Sequence, residues 1–180
     1  GIYETYMLPN REPSLHARLD KLIKTIVRVY ASTFSHRAKA YIAATSYRLE
    51  EEKMAVIVQR VVGRAHGPRF YPDFAGVARS HNFYPAPPLV ADDGIAAVAL
   101  GLGRAVVQGE SALRFCPRYP QALVQFSSVR DMLANTQRAF WGLDLSGDTV
   151  QETRFGLDVA ESDGVLGEVA STYSHENDAI

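Results

Sequence analysis

The segment that most constrains the fold is residues 72–109, in which two short apolar runs flank a loop rich in proline and aspartate. The runs are residues 74–78 and 95–100, and the second is followed by Gly101-Leu102-Gly103. A short apolar run followed by closely spaced glycines is typical of a strand that enters a tight turn. Glycine in such a turn permits a positive φ and also lets a ligand approach the backbone closely. We therefore predict two strands and a turn that is either structural or ligand-binding.

The residues before this segment predict two helices, a strand and a loop. Ser14 is a suitable N-cap, and residues 15–30 place apolar side chains at helical spacing with basic side chains opposite. A second helix is predicted at about residues 35–44. The apolar run at residues 54–62 predicts a strand buried on both faces. The last stretch, residues 63–73, is predicted to be a loop.

After residue 109 the pattern predicts a short strand, one long helix and one or two further strands. The short strand contains Arg114 and Phe115 and ends before a proline. Residues 129–143 predict a helix capped by Ser127 or Ser128, because their apolar residues recur at helical spacing. Weak alternation over residues 150–159 predicts the further strands, and turns are expected at Gly164 and Gly167.

Composition places the chain among globular domains. Its 180 residues, 47% of them hydrophobic, are enough for one compact domain with a sizeable core. No apolar run approaches the ~20 residues of a membrane span, so no membrane partner is expected. The single cysteine, Cys116, excludes an internal disulfide, fits a reducing compartment and is predicted to be a small buried residue.

The net charge of −1 conceals an asymmetry between two parts of the chain. Residues 1–147 contain 18 Lys and Arg against 12 Asp and Glu, whereas residues 148–180 contain one arginine against eight acids. The basic part is compatible with an anionic ligand such as phosphate. Alternatively, the acidic part neutralises it within the fold. A nucleic-acid partner is not expected, since no basic patch interleaved with aromatic residues is present.

Four stretches in a fixed order resemble the nucleotide-binding domain of phosphoenolpyruvate synthase and pyruvate phosphate dikinase, which has an ATP-grasp fold. The resemblance extends over about residues 1–116. The four stretches are residues 1–5, the helical segment 29–41 with its Arg37-Ala38 pair, the run with Val58-Gln59 before Gly76-Val77, and GLGRAVVQG at residues 101–109.

The resemblance implies an α+β fold, an ATP-grasp-like lobe with a mostly antiparallel sheet and flanking helices. Residues 1–147 would be the C-terminal part of that domain, and residues 148–180 an acidic continuation of it or the start of a linker. Because the chain begins at Gly1 without a methionine, we expect it to be a piece of a longer protein. The implied location is the cytoplasm.

Proteins of this family transfer a phosphoryl group from ATP to a carrier histidine, which then serves pyruvate or phosphoenolpyruvate. The implied partners are therefore a nucleotide and the remaining domains of the parent chain: the other ATP-grasp lobe, a phosphohistidine domain and a barrel. The implied cofactors of the parent are ATP and Mg²⁺. We expect this chain to form one wall of the ATP site.

The resemblance also indicates candidate ligand contacts. The backbone at Gly101 and Gly103 would lie near phosphate, with side-chain contacts from the residues Gln59, Arg104, Gln108 and Arg114. Gln59 has an alternative role, an inward amide bonded to neighbouring backbone. No catalytic residue is predicted. The arginines at positions 64 and 69 either bind phosphate or belong to a simple connection.

Two positions depart from the family pattern. The family has a glutamate after GLG, where this chain has Arg104, and an acid before the next aromatic, where it has Arg114. Arginine repels Mg²⁺ and attracts phosphate directly. Two hypotheses remain open, an ATP-dependent phosphotransferase and a degenerate module that binds a nucleotide or a protein without catalysis. A carboxylate of Glu110 or Asp73 beside Arg104 would favour the first.

Overall fold

The structure is a computed structural model that describes residues 2–45, 48, 53–121, 125–147, 149–171, 174 and 176. Its contacts divide the chain into two compact units. The first comprises residues 1–61 and 147–151, and the second comprises residues 62–146 and 152–180. The boundary predicted at residue 147 on family grounds stays a prediction.

The first unit contains helices α1 (Leu15–Ala31) and α2 (His36–Ala43), joined by a 3-10 turn at Ser32–Phe34. The Ser14 hydroxyl accepts a hydrogen bond from the Ala17 N–H at 3.4 Å and so caps α1. Ser35 caps α2 in the same way. Both predicted helices are confirmed, because polar caps and helical apolar spacing are local signals.

The strand predicted at residues 54–62 was wrong. Residues 53–63 adopt no strand, and Ile57 and Val62 are each 80% exposed. An apolar, β-branched run becomes a buried strand only where neighbouring strands satisfy its backbone groups. Within the described part of the chain this run has no such neighbour.

The described residues of the second unit, with Gln151, form two sheets. The strands are β1 (Arg64–His66), β2 (Arg69–Tyr71), β3 (Phe74–Arg79), β4 (Ile95–Leu100), β5 (Leu113–Phe115), β6 (Ala139–Asp144) and β7 (Gln151–Gly156), and the helices are α3 (Arg104–Gln108), α4 (Val129–Asn135), α5 (Leu157–Ser162) and α6 (Leu166–Val169). The four-stranded sheet has the order β1-β2-β6-β7 and the three-stranded sheet the order β3-β4-β5, and the paired registers described are antiparallel. Helices α3 to α6 flank the sheets, so the predicted α+β class is confirmed.

The loop predicted at residues 63–73 is instead a hairpin. Strands β1 and β2 pair antiparallel, with His66 opposite Arg69. The two residues between them, Gly67 and Pro68, form the turn, and Gly67 has a φ of +57°. Glycine tolerates this conformation without steric cost, so Gly67 suits a two-residue hairpin turn. The sequence pattern had predicted only a loop here.

The single helix predicted at residues 129–143 is a helix followed by a strand. Ser128 caps α4, which ends at Asn135, and Phe140 and Leu143 belong to β6. Apolar residues three apart fit either a helix face or a strand buried on both faces, so spacing could not separate the two. The same ambiguity affects the strands predicted over residues 150–159. The first part of that stretch is strand β7, as predicted, whereas Leu157 and Val159 lie in helix α5.

The principal core lies between the four-stranded sheet and the C-terminal helices. Tyr71, Phe140 and Val165 are its largest fully buried side chains, joined by Leu100 and Ala160. Cys116 is buried as predicted. None of the described helices is both long and apolar enough to cross a membrane.

Candidate functional site

The predicted glycine turn follows β4 directly, and packing determines its first glycine. Gly101 has a φ of +80°, and a Cβ at this position would lie 2.5 Å from the Trp141 carbonyl oxygen. The neighbouring Leu102 N–H donates to that same oxygen at 2.7 Å. Gly101 is therefore required by the close approach of β6, whether or not a ligand binds.

Gly103 differs from Gly101 in both respects. Its φ is −63°, and a Cβ added there would meet only the Cβ of Ala75, at an ordinary 3.6 Å. Packing and backbone strain thus do not require glycine at this position. A ligand close to the backbone would supply such a requirement, and the predicted phosphate contact at Gly103 stays a prediction.

Gln137 fixes the end of β4 from the other side. Its side-chain oxygen accepts the Leu100 N–H at 2.8 Å, and its amide nitrogen donates to the carbonyls of Leu100 and Ala139 at 3.1 and 2.9 Å. One amide side chain therefore replaces strand pairing between the end of β4 and the start of β6. This holds the turn in a defined place.

Arg104 is the first residue of α3, and its guanidinium lies on an aromatic ring. The carbon Cζ lies 4.0 Å from the Trp141 ring centroid, and Nη1 lies 3.0 Å from a carboxylate oxygen of Glu152. Its Nε is buried and has no hydrogen-bond partner. The cation is thus paired with an acid 48 residues away in sequence.

Two further residues continue this arrangement. The Trp141 indole N–H donates to Glu110 at 3.0 Å, and an Arg154 nitrogen lies 3.7 Å from the other oxygen of Glu110. Glu152 and Arg154 lie two apart on β7 and therefore share a face. We refer to Arg104, Glu110, Trp141, Glu152 and Arg154 as the Arg104 cluster.

Two shallow grooves lie next to this cluster, and Glu110 and Ser111 line both. The first groove, of about 270 Å³, is also lined by Arg114, Gln125 and Asn135. The second, of about 320 Å³, is also lined by Gln137, Arg138 and Arg154. Arg114 and Arg138 are exposed, and neither forms an ion pair with a described residue.

The structure thus brings some of the predicted contacts together and not others. Arg104 belongs to the cluster, and Arg114 lines the first groove beside it. Gln108 is the last residue of α3 and is exposed. Gln59 lies exposed in the other unit. The role of each in nucleotide binding stays a prediction.

Sequence reasoning missed Trp141, Glu152, Arg154 and Arg138 as members of this region. Trp141 lies within residues 129–143, which were predicted to be one helix, and this prediction hid its position opposite the glycine turn. A usable signal was present at Glu152 and Arg154, because opposite charges alternate along a predicted strand and Arg154 is the lone cation among residues 148–180. Of the two carboxylates named beforehand, Glu110 lies in the cluster, whereas Asp73 pairs with Arg64.

Arg64 and Arg69, the other arginines suggested for phosphate, are both paired on the β1–β2 hairpin. Arg64 contacts Asp73 at 2.6 Å and Glu168 at 2.9 Å. Arg69 binds Asp163 through two nitrogens, at 3.1 and 2.5 Å. Acids of residues 148–180 thus neutralise three arginines of the preceding part, since Glu152 likewise pairs with Arg104.

The Asp163 carboxylate, only 7% exposed, is the most enclosed of these partners. It also accepts a hydrogen bond from the Tyr71 hydroxyl at 2.7 Å. The Arg69 guanidinium, followed by Tyr71, lowers the pKa of Asp163, and burial followed by this hydrogen bond raises the pKa of Tyr71. We refer to Arg69, Tyr71 and Asp163 as the hairpin anchor.

Comparison with known proteins gives one family. Residues 1–122 match the model of the pyruvate phosphate dikinase AMP/ATP-binding domain. No curated protein and no solved structure gives a significant match. The matched region contains the glycine turn, Arg104, Glu110 and Arg114 and covers more than half of the chain. The chain therefore belongs to the family of pyruvate phosphate dikinase AMP/ATP-binding domains.

Proposed function

We propose that this chain binds the phosphates of an adenine nucleotide in the two grooves beside the Arg104 cluster. The observation on which this rests is that Arg114, Arg138 and Arg154 line adjacent grooves that meet at Glu110 and Ser111. Guanidinium groups bind phosphate oxygens with paired hydrogen bonds, and the hydroxyl of Ser111 and nearby amides can add further donors. Family membership supplies the nucleotide class.

The remaining part of the proposal concerns the parent protein. We infer that the chain forms one wall of an ATP site in a phosphotransferase similar to phosphoenolpyruvate synthase, in which a carrier histidine receives the phosphoryl group. Such transfer needs groups positioned on both sides of the phosphates. The isolated chain should accordingly bind nucleotide without measurable turnover. The parent protein would act in the cytoplasm, with the other domains named above.

A specific observation favours a second candidate, a non-catalytic nucleotide-binding module. Both acids of the Arg104 cluster are already engaged, Glu152 by Arg104 and Glu110 by Trp141 and Arg154. Neither acid is therefore an unpaired carboxylate, as a general base or a metal ligand in an empty site commonly is. ATP turnover by the parent protein, with a phosphohistidine detected on it, would decide for the phosphotransferase.

The groove assignment is tested by titrating ATP and AMP into the chain and into Arg114→Ala and Arg138→Ala. Each variant should bind ATP about tenfold more weakly, because a lost charge-assisted contact to phosphate costs about 1.4 kcal/mol or more. Arg79→Ala is the matched control, since Arg79 lies exposed at the opposite end of the β3–β4 pair, facing Ile95. Equal affinities in all four proteins would reject the grooves as the phosphate site.

A further inference from the structure

We propose that arginine side chains in this chain take the place that Mg²⁺ has in the family, so that its preferred ligand is metal-free nucleoside polyphosphate. The inference rests on the proposed function and specifies the ionic form of the nucleotide. Two carboxylates lie near the grooves among the described residues, Glu110 in their lining and Glu152 in the Arg104 cluster.

Both carboxylates near the grooves, Glu110 and Glu152, are already engaged by arginine or indole groups of the chain. Mg²⁺ needs nearly octahedral oxygen ligands and is usually held by one or two carboxylates together with phosphate. Glu152 is within 3.0 Å of an Arg104 nitrogen, and Glu110 accepts the Trp141 N–H with Arg154 close by.

The charge of the grooves instead suits an uncomplexed phosphate chain. Their ionic lining consists of three arginines and one glutamate, a formal charge of +2, and the Arg104–Glu152 pair adds no net charge. That formal charge equals the charge of Mg²⁺, the ion implied for members of the family. Because bound Mg²⁺ cancels two negative charges of ATP and is itself repelled by guanidinium, it should weaken binding here.

Arg104 has a defined part in this arrangement. Its guanidinium pairs with Glu152 and lies over the Trp141 ring. Arg104→Glu would remove that cation and place a second carboxylate beside Glu152. Two neighbouring carboxylates are a minimal Mg²⁺ site, so this single change should reverse the metal preference.

The test uses Trp141, the one tryptophan of the chain, as a fluorescent reporter located within the cluster. ATP is titrated into the 180-residue chain with EDTA and, separately, with excess Mg²⁺. We expect affinity at least about fivefold higher with EDTA. Arg104→Gln should reduce this preference, because it removes the cation without adding a ligand, and Arg104→Glu should bind more tightly with Mg²⁺ than with EDTA.

The outcomes separate this inference from the proposed function. Tighter binding by the wild-type chain with Mg²⁺, or an Arg104→Glu variant that keeps the wild-type preference, overturns the exchange of metal for arginine and leaves nucleotide binding intact. Loss of binding in both conditions overturns both. Wild-type preference for metal-free ATP together with reversal in Arg104→Glu supports the exchange.

Discussion

The hairpin anchor and the grooves use the same side chain in opposite ways. In the anchor, the Arg69 guanidinium binds a carboxylate that is 7% exposed and that a tyrosine also contacts. Along the grooves, Arg114 and Arg138 are exposed and form no ion pair with a described residue. An arginine that is neutralised inside the fold contributes to stability, whereas an exposed arginine without an acid is available for an anionic ligand.

The largest expected effect is on the anchor. Asp163→Asn should lower the free energy of unfolding by about 3 kcal/mol, because it leaves the Arg69 cation partly buried without its carboxylate. Urea denaturation measures the change. Glu161→Gln, in the last turn of α5 and two residues before Asp163, is the matched control because its acid is exposed, and it should cost less than about 0.5 kcal/mol. Equal losses in the two variants would show that the anchor is not a stabilising pair.

The two glycines of the turn give the next largest difference. Gly101→Ala should destabilise the chain by about 2 kcal/mol, since it combines a positive φ with contact to the Trp141 carbonyl. Gly103→Ala should cost less, about 0.5–1 kcal/mol, because Gly103 is the N-cap of α3, where alanine is less favourable than glycine. If Gly103→Ala nevertheless weakens ATP binding, the ligand approaches the backbone there, and unchanged ATP binding would remove Gly103 from the site.

Lowering the pH should remove the contribution of the hairpin anchor to the free energy of unfolding. Because the pKa of Asp163 in the folded chain is below its ordinary value of 3.8, its stabilising contribution is complete above about pH 4 and is lost as the pH falls through the folded-state pKa. The unfolding free energy of the wild-type chain should therefore approach that of Asp163→Asn as the pH is lowered. A constant difference between the two from pH 6 to pH 2 would contradict the lowered pKa.

The smallest effect on stability is expected from the groove arginines. Arg114→Ala and Arg138→Ala should each shift the unfolding free energy by less than about 0.5 kcal/mol, while lowering ATP affinity as described above. A loss of stability comparable to that of Asp163→Asn would mean that these arginines have structural partners, and the contrast between the two regions would fail.

Elements of the fold were predicted correctly from the sequence where the signal lies in neighbouring residues, and incorrectly where it depends on residues far away in the chain. The strand at Ile95–Leu100, the glycine turn and the caps at Ser14 and Ser128 depend on neighbouring residues, and all were found, Ser128 as one of two alternatives. The strand expected at residues 54–62 depends on partners elsewhere, and β6 was mistaken for helix because Phe140 and Leu143 fit both periods. Partners for a charge are also distant, as 94 residues separate Arg69 from Asp163.

The candidate site shows the same division. Sequence identified Arg104 and Arg114 as departures from the family, and the structure places both beside the grooves. It could not show that Glu152 pairs with Arg104 or that Trp141 lies under it, because these contacts join separate elements of the fold.

The central claim is that nucleotide phosphates bind along the grooves, and a crystal structure of the chain with ATP tests it most directly. We predict phosphate oxygens within hydrogen-bonding distance of the Arg114 and Arg138 guanidinium groups, with the Arg69–Asp163 pair unchanged. Phosphates bound to Arg64 or Arg69 after displacement of their acids, or bound away from both regions, would contradict the account.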